Sequence, residues 1–190
     1  MSRATAIFIA TLLAGCLAPG TSDASRAWNL PSAEQVGPKV RVFLPAELRS
    51  PRVIAGDAAG MPVARDFDRW SVPLNTGLEG LISERLLIGL PIRDAVVEFR
   101  VLRVDAGGNC RVIADYRANT WSFVGGPDVE IKGIVIAEIS GISGESERER
   151  IVQGYVDAAK TVANRIREDY EQQGKGEVAK PPGPVSVPGK

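Results

Sequence analysis

Between Ala95 and Ile139 apolar and polar residues alternate along three runs separated by two glycine-bearing turns, and this pattern leaves few ways to fold. In the first run, Ala95-Val96-Val97-Glu98-Phe99-Arg100-Val101-Leu102-Arg103, a period of two sets Val97, Phe99 and Val101 on one side. Asp105-Ala106-Gly107-Gly108-Asn109 turns the chain, and Cys110 to Phe123 returns as the second arm of a long hairpin. Gly125-Gly126-Pro127-Asp128 makes the next turn. A third strand then directs Val129, Ile131, Val135, Ala137 and Ile139 inward. A half-apolar meander needs a cover for its apolar face.

Two amphipathic segments supply that cover. Thr76-Gly77-Leu78-Glu79 has the spacing of a capping box, predicting a helix to Leu90 with Leu74, Leu78, Leu81, Ile82 and Leu86 near one face and Pro91 as its stop. Ser146-Glu147-Arg148-Glu149 repeats the signal. It opens a helix to about Gln173 that carries Ile151, Val152, Tyr155, Ala159, Val162, Ala163, Ile166 and Tyr170 at helical spacing, with Gly174 as C-terminal cap. Upstream, Lys39 to Leu44 alternates as a half-buried strand, Arg52 to Ala55 reads as a brief edge strand, and another strand runs from Met61 to Phe67 after a turn at Gly56 to Gly60. The expectation is an α/β (α+β) domain over residues 39–173: a largely antiparallel sheet of about five strands with both helices packed on it.

The amino terminus has a different logic. Residues 1–15, MSRATAIFIATLLAG, hold one cation at Arg3, a short apolar core and a small-residue exit, which is the layout of a secretory signal peptide. The apolar stretch is shorter than the roughly 20 residues a membrane-spanning helix needs. Its ending, Leu13-Ala14-Gly15-Cys16, resembles the bacterial lipobox. That resemblance implies that Cys16 becomes the first mature residue and carries acyl chains. Burial of such chains contributes about 0.8 kcal/mol per methylene, so two or more anchor a protein stably. Leu17 stands where an Asp would retain a lipoprotein on the inner membrane, which implies the outer membrane, facing the periplasm. Residues 16–38, with the lipidated Cys16 at their head, are rich in small and proline residues and read as a flexible tether, with packing of Trp28 and Leu30 on the domain or on lipid headgroups as the alternative. Such a tether spans about 25 Å on average. Residues 174–190, ending PPGPVSVPGK, read as a disordered tail.

Composition narrows the chemistry. The chain has no histidine, which removes the commonest general base, His metal ligands and Ser-His or Cys-His catalysis. Its net charge is 0 and no basic stripe occurs, so nucleic acid is not an expected partner. Gly141-Ile142-Ser143-Gly144-Glu145 comes near a nucleophile elbow but lacks its last glycine and any base. Cys110, at an apolar position of its strand, reads as a buried thiol. Asp66 and Asp68 share a strand face, where paired carboxylates are more often solvated than metal-binding. No cofactor, no metal and no enzymatic activity are expected.

Two segments carry a family resemblance. Leu44-Pro45-Ala46-Glu47-Leu48-Arg49-Ser50-Pro51-Arg52-Val53-Ile54 holds Leu48, Pro51, Val53 and Ile54 at the spacing "Leu-x-x-Pro-x-Ile/Val-Val". Phe67-Asp68-Arg69-Trp70-Ser71-Val72-Pro73-Leu74 holds Arg69, Trp70, Pro73 and Leu74 as "Arg-Trp-x-x-Pro-Leu". Together they resemble the ABC-type transport auxiliary lipoproteins, the PqiC/YmbA-like family. The resemblance implies a non-catalytic subunit of an MCE/ABC-type lipid transport system that forms a homo-oligomeric ring and docks an MCE-domain protein at the outer membrane. It also implies that Leu48, Pro51, Arg69, Trp70, Pro73 and Leu74 are the family's motif and a candidate partner interface, although Trp70, which precedes a buried helix, reads as core ahead of interface. Two rival readings stand beside it. One is another envelope accessory lipoprotein, pilotin-like or serving lipopolysaccharide export; the other is a lipid-anchored hydrolase built on carboxylates.

Overall fold

The computed structural model describes residues 26–31, 37–57, 61–121 and 129–177. Strands β1 (Arg26–Trp28), β2 (Lys39–Phe43), β3 (Arg52–Gly56) and β4 (Pro62–Trp70) lead into helix α1 (Leu74–Leu87). Strands β5 (Ile92–Val104), β6 (Cys110–Thr120) and β7 (Glu130–Ile139) follow, then helix α2 (Glu147–Glu177). The class is mixed α+β as expected. The described strands number seven in two sheets, one ordered β1-β4-β3 and the other β2-β5-β6-β7. The meander β5-β6-β7 is antiparallel throughout, whereas β1–β4 and β2–β5 pair in parallel.

Two parts of the expectation need correction. Residues 16–38 do not form a tether throughout: Arg26–Trp28 pairs with Asp68–Trp70, and Trp28 is buried. Leu30 packs on the core so closely that a Cβ on Gly77 would collide with it. Burying an aromatic ring and a leucine outweighs the loop-like composition around them. The second correction concerns α1. It begins at Leu74 behind Pro73, without a side-chain cap, so Thr76 lies inside the first turn. Glu79 does other work. Its Oε1 accepts the Val42 N–H at 3.0 Å, satisfying a donor on the outer edge of β2.

Local signals in the meander fare better, with one shift of phase. A bulge between Phe99 and Val101 inserts a residue into β5, so Leu102 and Val104 turn inward in place of Val101. On β7, Ile131 and Val135 are buried, while Val129 just before the strand is exposed. The cap of α2 is reciprocal: the Glu149 N–H donates to Ser146 Oγ, and Glu149 Oε2 accepts from the Ser146 N–H. α2 passes Gly174 and runs to Glu177. It lies over β6 and β7, α1 lies over β2, and the two helices touch. Tyr155, Ile151, Val162 and Ile166 of α2 are buried in the core. The leader, Cys16 and residues 178–190 lie outside the described residues.

Candidate docking surface

The two motif segments meet in space. The Trp70 N–H donates to the Pro51 carbonyl at 2.8 Å, joining the end of β4 to the start of β3. Parallel pairing sets Trp28 beside Trp70, with ring centroids 5.9 Å apart and planes at 83°. On its other side Trp70 stands edge-on to Tyr155, centroids 5.4 Å apart. Arg148 of α2 closes the cluster, its guanidinium 5.4 Å from the Trp28 ring centroid and donating to the Ala27 carbonyl at 2.8 Å.

This joint redefines the six motif residues. Leu48, Trp70 and Leu74 are buried: Trp70 sits in the core, as its place before a buried helix suggests, and Leu48 and Leu74 present no side chain to a partner, contrary to the interface expectation. Their burial knits the small sheet to α1 and α2. Pro51, Arg69 and Pro73 are exposed and remain at the surface beside the joint.

An exposed apolar surface lies a few residues upstream. β3 and β4 pair from Gly56↔Pro62 to Ile54↔Ala64, then resume at Arg52↔Arg69. Residues 65–68 of β4 therefore face only Val53 of β3, and this wide bulge turns Phe67 outward, 61% exposed. Upstream on β4, Val63 is 48% exposed, and Met61, just before the strand, is 60% exposed. Around it, Arg65 bonds to Glu147 at the start of α2, and Arg52 sits 3.9 Å from the exposed Asp66. The sequence held a signal for this surface: at a period of two, Val63 and Phe67 share a row with Arg65 and Arg69, a row too charged for a core.

Reactive chemistry finds little to build on. Among the described residues no group of three or more Cys, Asp or Glu could hold a metal, and Asp66 and Asp68 stand without a third ligand. Cys110 is buried, and loss of solvation, reinforced by Asp157 and Asp105, pushes its thiol up to about 12. It is a protonated, inert thiol at neutral pH. Ser143 lies in an exposed loop. Hydrogen bonds from Arg93 and Asn119 hold Asp94 below the ordinary carboxylate range against the opposing pull of burial, so it is an acceptor and not an acid. A depression of about 570 Å³ between the β5–β6 turn and the end of β7 is lined by Arg103, Asp105, Arg111 and Glu138 over the inert Cys110. Among the described residues no helix is long and apolar enough to cross a membrane.

No family model matches the chain, and no curated protein matches it. Solved structures similar to it include the following two. A crystal structure of a protein described only as uncharacterized aligns with a TM-score of 0.51 and 17% identity, covering 74% of this chain and 97% of that one. The crystal structure of protein XCC0632 from Xanthomonas campestris, of the family described as DUF330, aligns with a TM-score of 0.46 and 10% identity, over 79% and 99% of the two chains. At 17% identity the first likeness speaks to the fold alone.

Proposed function

We infer that this protein is a non-catalytic, lipid-anchored docking subunit of an MCE/ABC-type lipid transport system at the outer membrane. Acylated Cys16 fixes the chain to the bilayer, and residues 17–25 lead from it to β1. The folded body then works by contact with an MCE-domain protein. The observation that carries this reading is the surface around Phe67. The bulge leaves Phe67 in solvent on a strand whose far end is locked into the core, Val63 and Met61 upstream of it are exposed as well, and exposed apolar surface of this kind marks contact sites. Its position favours a role beside a membrane, because β1, the first described strand after the anchor, pairs with Asp68, the neighbour of Phe67. The histidine-free composition and the protonated Cys110 suit a protein without catalysis.

The test is co-purification with an MCE protein encoded beside it. A Cys16→Ala chain should leave the membrane fraction and still capture that partner. Failure of both the acylated and the Cys16→Ala chain to capture it would overturn the reading.

A further inference from the structure

A second apolar surface lies where α1 hands over to β5. The helix stops at Leu87, and Gly89, at φ +76°, turns the chain with nothing within 4 Å of the place a Cβ would take. The Trp121 N–H donates to the Pro91 carbonyl at 2.7 Å, which sets Trp121 beside this turn. Ile88 is 70% and Trp121 55% exposed, and Leu87 is exposed as well. Cations border the corner. Arg85 is exposed on the last turn of α1, and the Arg93 guanidinium, which also bonds to Asp94, lies 5.6 Å from the Trp121 ring centroid. Arg167 of α2 donates to the Arg85 and Ile88 carbonyls at 2.9 and 3.4 Å. An indole and aliphatic side chains bordered by guanidinium groups suit a bilayer surface, where rings settle at headgroup level and cations meet phosphates.

Helix α2 measures how far this corner lies from the anchor. Near the start of the helix Arg148 donates to the Ala27 carbonyl, on the strand through which the chain from Cys16 enters the fold. Further along, Arg167 bonds to the Ile88 carbonyl. At 1.5 Å per residue, Arg148 and Arg167 are separated by about 28 Å along the axis. Residues 16–25, fully drawn out, reach at most about 35 Å. That length lets the corner rest on the bilayer that holds Cys16, with little to spare. The Phe67 surface, beside Arg65 and the start of α2, then stands about 30 Å from the headgroups, open to a partner.

We propose that the corner formed by Leu87, Ile88 and Trp121 rests in the headgroup layer of the bilayer that holds Cys16, a lipid contact separate from the Phe67 surface. The proposal rests on the acyl graft of the proposed function and not on the identity of the docking partner.

Trp28 and Trp70 are buried, so Trp121 is the tryptophan within reach of lipid. The test reconstitutes the full acylated chain in phosphatidylethanolamine–phosphatidylglycerol vesicles, with and without bromine on the lipid acyl chains. Bromine quenches indole emission at short range. Emission should be lower in the brominated vesicles, and Trp121→Phe should abolish the difference. Ile88→Asp should shrink it at least about twofold. Deleting residues 19–23 should also abolish it, because the shortened segment reaches only about 18 Å. Circular dichroism checks the fold of each variant, and intact mass checks the graft. Equal emission from a grafted, folded parent chain in the two kinds of vesicle would overturn this contact alone. So would a difference that survives Trp121→Phe or the deletion. A missing graft would overturn the proposed function together with it.

Discussion

Tyr155, buried in the first third of α2, donates its hydroxyl to the carbonyl of Ile54 on β3 at 3.0 Å, a bond that spans 101 residues of sequence. The same ring supports Trp70, so one side chain connects the small sheet, the motif joint and the long helix. Neither sheet is stable as an isolated layer, and this contact is where α2 is shared between them.

Removing the hydroxyl while keeping the ring leaves the Ile54 carbonyl without that donor. Tyr155→Phe should therefore cost about 1–3 kcal/mol in urea unfolding, without loss of secondary structure. Tyr155→Ala, which also empties a packed site beside Trp70, should cost about 3–5 kcal/mol. Equal effects of the two substitutions would mean that the ring contributes nothing.

Cys110 gives a prediction in the alkaline range. Its thiol ionises at 9.0 when exposed and at about 12 in the fold, so above pH 9 the unfolded chain releases a proton that the folded chain retains. Stability from this group is complete below pH 9 and is lost as pH rises toward 12, at up to about 1.4 kcal/mol per pH unit. Between pH 9 and 10 the stability of Cys110→Ala should fall less steeply than that of the parent, by up to one proton's worth. Identical slopes would place the thiol in solvent.

Phe67 separates docking from folding. It is 61% exposed, so Phe67→Ser should change stability by no more than about 0.5 kcal/mol. Capture of the MCE partner by the same variant should fall sharply. Unchanged capture by a folded Phe67→Ser chain would move the docking surface elsewhere.

What was legible in the sequence follows the range of the interactions involved. The Ser146–Glu149 box is settled within one turn of chain, and it formed as read. The Thr76–Glu79 box has the same spacing but did not form, because Glu79 is claimed by the Val42 N–H at the edge of a distant strand. The hairpin turn between β5 and β6 was readable. The bulge at Phe99/Val101 was not, since nothing local announces an inserted residue. The parallel pairings of β1 with β4 and of β2 with β5 are non-local and leave no period in the chain. At the motif, spacing located the residues that meet, but only packing separates buried Trp70 from exposed Arg69.

The proposed lipid graft at Cys16 would set where all of this happens. Intact-mass spectrometry of the protein taken from native envelopes measures it directly. The predicted product begins at Cys16 and carries the added mass of a diacylglyceryl thioether and an amide-linked acyl chain. A product that keeps residues 1–15, or one with an unmodified Cys16, would contradict both the proposed location and the proposed role.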